Sequence, residues 1–181
     1  FKNFFTKTKP VSTAEITEYL NEQVKLNFFK GQKFLTEEYL NDKKSMITYF
    51  NSKGYRDARI ITDSVYNIGN NKINIDISIE EGMKYYFRDI IWTGNFIYED
   101  EILDRILGVQ TGDVYDMELI NTKLTFNPNG TDLGALYLDN GYLAYSCTPV
   151  ETEIDGDSID VEMRIQEGRQ FDINKIIVKG N

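Results

Sequence analysis

Hydrophobic and polar residues alternate strictly along two stretches of the chain, and these stretches match position by position. Residues 73–82 (INIDISIEEG) recur 86 positions later as residues 159–168 (IDVEMRIQEG). Strict alternation is typical of a strand with one face on a core and the other in water. Each copy ends in an acidic residue followed by glycine. The pattern therefore predicts a repeated structural module that contains such a strand.

Two further matches extend the repeat. Residues 90–95 (IIWTGN) recur as residues 176–181 (IIVKGN), and residues 52–55 (SKGY) correspond to residues 139–142 (DNGY). The repeat length and the length of the chain together predict two modules and the start of a third. We expect a first module at 1–82, a complete module at 83–168 and the first strand of a following module at 169–181.

The complete module reads as a strand, two helices and a hairpin. Its predicted elements are a strand at 85–93, a helix at 99–107, a second helix that begins near Asp116, is interrupted at 127–130 and resumes at 132–138, and two strands at 142–150 and 158–166. The order β-α-α-β-β predicts an α/β (α+β) fold with a three-stranded mixed sheet covered on one face by two helices. The buried strand face is predicted to carry Ile159, Val161, Met163 and Ile165, packed against Ile102, Ile106, Leu119 and Leu136.

The first module shows the later elements more clearly than the earlier ones. A helix is predicted at 36–50, followed by strands at 55–66 and 72–81 that are joined by a turn at 69–71. Apolar residues at four-residue steps also predict an extra helix at 12–29. Phe1–Phe5 is open to two interpretations, a shortened first strand or a frayed helix end. The second would make the 12–29 helix an insertion.

Composition narrows the classes of function. The chain has 181 residues, 41% of them hydrophobic, and a net charge of -9, which argues against a partner recognised through its phosphates. The mean hydropathy of -0.42 and the absence of a long apolar run argue against a membrane-spanning helix. Because Phe1 is not an initiator methionine, we expect the sequence to have been cut from a longer chain.

The candidate chemistry is sparse. The sequence has no histidine, which removes the commonest general base and transition-metal ligand. The single Cys147 is predicted to be a packed small hydrophobe, and the Glu37–Glu38 and Glu80–Glu81 pairs are predicted to be solvated or capping. Residues 127–132 read as a turn, since they lack the spaced acids of a calcium loop. We therefore expect no catalytic residue, no metal site and no cofactor.

The combined pattern resembles an array of POTRA (polypeptide-transport-associated) modules, and it is most similar to those of the BamA family. Four features carry the resemblance: the element order, the Gly-Tyr before the second strand, the acidic-Gly end of the third strand and the Gly-Asn after the first strand. Residues 51–60 are the most similar stretch. The resemblance covers nearly all of 31–181. The interruption at 127–131 and the segment 10–34 depart from it.

The resemblance implies a function without bond chemistry. BamA-like modules form an arm at the periplasmic face of the outer membrane of Gram-negative bacteria, joined through its C-terminus to a membrane barrel. Such arms receive unfolded outer-membrane β-barrel proteins, dock accessory assembly lipoproteins and promote insertion into the outer membrane. It implies no enzyme activity, no nucleic acid and no small-molecule substrate.

The predicted binding surface is a free sheet edge. Pro149 lacks a backbone donor, which favours an edge position for the 142–150 strand. An extended client could add to this edge through backbone hydrogen bonds. The candidate client- or partner-binding residues are Tyr142, Leu143, Tyr145 and Cys147 on this strand, and Arg56 and Arg59 on one strand of the first module. Core packing of the tyrosines and a solvated role for the arginines are the alternatives.

Other functions remain open from the sequence. The same modules occur in two-partner secretion transporters, in translocation-and-assembly transporters and in cell-division proteins. A small α/β enzyme domain or a carboxylate metal site is the alternative from a different class.

Overall fold

The computed structural model describes residues 33–125 and 130–180. The predictions for 1–5 and 12–29, and most of the predicted interruption at 127–130, lie outside these residues. The described elements are α1 (Thr36–Ser52), β1 (Arg59–Gly69), β2 (Lys72–Glu80), β3 (Tyr86–Thr93), α2 (Asp100–Leu107), α3 (Met117–Leu124), α4 (Leu133–Leu138), β4 (Ser146–Asp155) and β5 (Ser158–Gln166). They fall into two compact units, the first containing residues 33–50 and 57–83 and the second residues 51–56 and 84–180 apart from 126–129.

The first unit contains the predicted helix and hairpin. Strands β1 and β2 pair antiparallel, and Asn70 and Asn71 in the turn have φ of 52° and 57°. Two successive residues in the left-handed region make the tight turn that suits the twist of a hairpin, which confirms the predicted turn. Helix α1 contacts β1 through Asp63, which accepts hydrogen bonds from Tyr39 Oη at 2.8 Å and Lys43 Nζ at 2.7 Å.

The second unit contains a three-stranded mixed sheet in the order β3-β5-β4. Strand β5 pairs parallel with β3 and antiparallel with β4, so the second strand of the hairpin lies in the centre. A parallel pair needs a crossover connection, which the three helices between β3 and β4 provide. The predicted fold class is confirmed.

The core of this unit lies between the sheet and the helices. The four predicted residues of β5 are buried, and Ile106 and Leu136 pack against them as expected. Ile102 and Leu119 do not, since they are 37% and 42% exposed. The residues that cover the sheet in their place are Leu103, Leu107, Ile120, Leu124, Leu133 and Tyr137.

Helix α2 is rotated about its axis relative to the prediction, and one hydrogen bond explains the difference. Trp92 on β3 donates its indole N–H to Asp104 Oδ1 at 2.7 Å. A buried indole N–H needs a partner, and turning Asp104 towards it also turns the adjacent Leu103 to the sheet. The apolar stripe of the helix is therefore shifted by one residue from the prediction.

The strand before the hairpin turn begins later than predicted. Strand β4 starts at Ser146, and residues 142–145 form a turn in which Tyr145 N donates to Tyr142 O at 3.0 Å. The predicted 142–150 strand is thus wrong in its first four residues, because the backbone of Tyr142 is still bonded to Tyr137 O of α4 at 3.0 Å. Residues 167–180 belong to no strand in the structure.

At one end of the sheet, an arginine on β3 forms ion pairs with three carboxylates of β4 and β5. Arg88 on β3 contacts Asp160 at 2.6 Å, Glu153 at 3.0 Å and Asp155 at 3.1 Å. Asp160 is buried and also accepts from Asp89 N at 3.1 Å. The hydrogen bonds from Arg88 hold the pKa of Asp160 below its usual range.

We expect this cluster to make the stability of the second unit fall in acid. Because the folded-state pKa of Asp160 lies below the unfolded value of about 3.9, its stabilisation is complete above that pH and is lost as pH falls. We expect Asp160→Asn to lower the melting temperature at pH 7 and to weaken its dependence on pH between about 5 and 2. Asp172→Asn, an exposed position outside the sheet, is the control. Identical slopes in the parent and Asp160→Asn would contradict the assignment.

Candidate functional site

The sheet of the second unit has two edge strands, and they are not equally open. The outer edge of β3 is covered near its start by residues 111–115. Phe87 N donates to Asp113 O at 2.9 Å, and Gly112 N donates to Phe87 O at 2.7 Å. Tyr115 N adds a bond to Tyr85 O at 3.0 Å. A strand added at the start of β3 would therefore have to displace this loop.

The other edge, at β4, has no neighbouring strand within the described residues. β4 pairs with β5 along its whole length on its inner side. An edge strand offers backbone N–H and C=O groups to an added chain. The predicted placement of this strand at the sheet edge, with the 158–166 strand inside, agrees with the observed order.

Side chains of β4 divide between the two faces of the sheet. Cys147 and Pro149 lie opposite Ile165 and Met163, so they share the core face. Thr148 lies opposite Arg164 on the open face. The register shifts between Glu151 and Glu153, which bends the strand and interrupts regular pairing. The regular part of the edge is therefore the first half of β4, before this shift.

Two of the candidate tyrosines pack into the module. Tyr145 stacks on Tyr137 with ring centroids 4.3 Å apart, and Tyr142 meets the same ring edge-on at 6.0 Å. Both are half-buried against the core, as is Cys147. Burial raises the pKa of the Cys147 thiol to about 11. These three side chains therefore pack between the start of β4 and the core. This is the packing alternative for the tyrosines and the role expected for Cys147.

Leu143 differs from these three because it is 63% exposed. It lies in the turn that precedes β4, beside the half-buried Tyr142. Of the four candidates predicted on this strand, it alone presents most of its surface to solvent.

The two candidate arginines do not share a strand, so that prediction is wrong. Arg59 begins β1 and pairs with Glu80 across the hairpin at 2.5 Å. Arg56 precedes the strand and belongs to the second unit, where its Nε and Nη2 donate to Glu151 at 2.9 Å and 2.5 Å. The reason is that residues 55–58 form a turn before β1 begins.

Two carboxylate networks were not predicted, one around the partly buried Glu151 and one around the buried Glu167. Glu151 on β4 accepts from Arg56 and from the Tyr115 hydroxyl, and burial together with this bond raises the pKa of Tyr115. Glu167 accepts from Ile97 N and from the Tyr137 hydroxyl, both at 3.0 Å. The recurrence of the acidic-Gly ending was the one sequence signal that could have marked Glu167 as structural.

Within residues 33–125 and 130–180, no three His, Cys, Asp or Glu side chains are arranged to hold a metal ion. In the same residues, no helix combines the length and apolar character that crossing a membrane requires.

The mixed three-stranded sheet with its covering helices, together with the sequence repeat, defines the class of protein. The sequence profile of POTRA, described as surface antigen variable number repeat, matches residues 5–82 and 85–168. The chain belongs to the POTRA family.

Several of the relatives and solved structures that it resembles are BamA proteins. It is 26% identical to the outer membrane protein assembly factor BamA of Neisseria meningitidis over 152 residues, covering 81% of this chain and 18% of that protein. It is also 26% identical to BamA of Nitratidesulfovibrio vulgaris over 180 residues, covering 96% of this chain and 22% of that protein. The chain thus spans about a fifth of the length of these relatives.

Solved structures show the same fold. POTRA domains 3–5 of Haemophilus influenzae BamA superpose with a TM-score of 0.63 at 20% identity, covering 91% of this chain and 64% of that one. BamA of Haemophilus ducreyi lacking POTRA domains 1–3 gives 0.60 at 19% identity, covering 86% and 27%. The predicted resemblance to BamA-type POTRA domains is confirmed.

Proposed function

We propose that this chain is part of the periplasmic arm of an outer membrane protein assembly factor, and that it binds unfolded outer-membrane β-barrel proteins by strand addition at β4. The observation that carries the proposal is the difference between the two sheet edges. Residues 111–115 cover the start of β3, whereas β4 has no neighbouring strand within the described residues. Backbone pairing suits a receiver of many clients, because it makes little demand on client sequence.

The surroundings of β4 suit weak and reversible binding. Pro149 removes one backbone donor, and the register shift after Glu151 shortens the regular edge. These two features leave a short pairing segment, which limits the affinity for any one client. They also protect the edge from permanent self-association, a hazard that long and flat edge strands carry.

We infer that the arm is built from repeated modules. Residues 1–82 and 83–168 form two modules, and 169–181 begins a third. The full-length protein continues to a membrane barrel and also docks accessory assembly lipoproteins. The chain acts at the periplasmic face of the outer membrane by binding its clients and not by bond chemistry. The similar proteins of Neisseria meningitidis and Nitratidesulfovibrio vulgaris are outer membrane protein assembly factors, which favours this role over secretion or cell division.

An amide-resolved titration tests strand addition. The 181-residue chain is titrated with a peptide copied from a transmembrane strand of an outer-membrane protein. We expect weak binding, with chemical-shift changes at 146–155 that exceed those in α2, α3 and α4. The physical reason is that backbone hydrogen bonds form along the outer side of β4.

The control is the same peptide N-methylated at alternate residues along one edge. N-methylation removes the backbone donors and leaves the side chains in place, so it should abolish the changes on β4. Equal binding of both peptides, or changes confined to the helices, would refute strand addition.

A further inference from the structure

Two glycine turns in the second unit have the same local structure. Gly54 N donates to Asn51 O at 3.0 Å, and Gly141 N donates to Leu138 O, also at 3.0 Å. Their φ angles are 91° and 85°, and a tyrosine follows each glycine. A glycine in the left-handed region after a helix is a common helix ending. We call these turns the Gly54 junction (Gly54–Arg56) and the Gly141 junction (Gly141–Leu143).

Each junction also binds a downstream segment of the chain. Gly54 O accepts from Tyr85 N at 2.8 Å, and Gly141 O accepts from Phe171 N at 2.9 Å. Tyr85 and Phe171 occupy equivalent positions of the repeat, 86 residues apart. A Cβ added at Gly54 would lie 2.9 Å from Tyr85 O, and one added at Gly141 would lie 2.7 Å from Phe171 O. The same close approach between a glycine and the backbone of a downstream aromatic residue therefore occurs twice.

The junctions differ in the residue that comes two positions after the glycine. In the Gly54 junction this residue is Arg56, whose guanidinium is bound by Glu151 of β4. In the Gly141 junction it is Leu143, which is 63% exposed. Val114 also reaches Gly54, with Cγ1 2.9 Å from the position of an added Cβ, while the nearest atoms at Gly141 come from Phe171 and Gln170 alone. The Gly141 junction therefore has the backbone contacts of its counterpart without contacts equivalent to those from Glu151 and Val114.

We propose that the Gly141 junction is a docking surface for the module that follows Asn181 in the same chain, and that Leu143 inserts into an apolar site on it. This inference rests on the proposed organisation, in which 169–181 begins a further module. The hydrogen bond from Phe171 to Gly141 brings the start of that module to the junction. By equivalence with Arg56, Leu143 then faces the counterparts of Glu151 and Tyr115.

The apolar side chain at position 143 determines which kind of surface can dock there. A carboxylate facing Leu143 would lose solvent without gaining the charge-assisted hydrogen bonds that Arg56 gives to Glu151. An apolar partner surface gains from covering the leucine. The occupant of this surface should therefore carry apolar side chains where β4 carries Glu151. Leu143 then contributes to the joint between modules and not to client binding.

Thiol labelling tests the proposal in the full-length protein. Leu143→Cys and Ile102→Cys are each made in a Cys147→Ser background, and the rate of maleimide labelling is measured. Ile102 is an exposed apolar residue on α2 and is the matched control. We expect both cysteines to react at similar rates in the 181-residue chain. In the full-length protein, only Leu143→Cys should slow, by about tenfold, because docking buries it.

The outcomes separate this inference from the proposed function. An unchanged labelling rate at 143 in the full-length protein overturns the docking surface. Protection of 143 in the 181-residue chain by a client peptide also overturns it, because position 143 would then be part of the client site. If 143 is protected in the full-length protein while client peptides leave the amides of β4 unchanged, the docking surface stands and strand addition at β4 fails.

Discussion

Val161→Asp is expected to unfold the second unit. Val161 is fully buried in β5, the central strand, with β3 on one side and β4 on the other. An ionised carboxylate there would have no partner, at a cost of several kcal/mol. Domains of this size have a total stability of about 5–15 kcal/mol, so the variant should be largely unfolded or melt far below the parent. Fluorescence of Trp92, the one tryptophan, reports on this core directly.

Thr148→Asp is the matched control for this change. Thr148 is exposed on β4 and lies opposite Arg164 on the open face of the same sheet. A carboxylate there stays in water beside a cation, so we expect a change in the free energy of unfolding within about 0.5 kcal/mol. Equal effects of the two substitutions, or a parent-like Val161→Asp protein, would show that the assigned core face is wrong.

The buried face of β5 could be predicted because a strand offers only two faces. A shift of one residue would turn every apolar side chain to water, so Ile159 and Val161 fix the register together. A helix is not limited to two faces, so sequence periodicity does not define its buried face as sharply. In the eight residues of α2, both Ile102 and Leu103 fit an apolar stripe. The hydrogen bond between Trp92 and Asp104 selects the second, and that contact joins two elements that sequence periodicity treats separately.

The candidate site shows the same division between local and long-range information. Pro149 signalled the edge strand, because a missing donor is a property of the residue itself. The partner of Arg56 lies 95 residues away at Glu151, and no local pattern specifies such a pair. The client role of Tyr142 and Tyr145 remains a prediction, and for Leu143 we propose the joint between modules instead. Packing of both tyrosines on Tyr137 depends on where the helix ends, which propensity defines only to within a few residues.

Gly94→Ala is expected to be the most damaging change of a single methyl group. Gly94 follows β3 with a φ of 81°, and an added Cβ would lie 2.2 Å from Ile165 O in the central strand. The substitution therefore combines a strained backbone with a collision against another backbone. The strain alone costs about 1–2 kcal/mol. Relieving the collision requires β3 and β5 to separate, which we expect to add about 1–3 kcal/mol.

Gly112→Ala isolates the first of these two costs. Gly112 has a φ of 90°, and no atom lies within 4 Å of an added Cβ. Denaturant unfolding of both variants, followed by Trp92 fluorescence, should give a larger loss for Gly94→Ala than for Gly112→Ala. Equal losses would mean that only the left-handed backbone requires glycine at position 94. A larger loss for Gly94→Ala would show that glycine is required there also by the close approach of β3 to the carbonyl of Ile165.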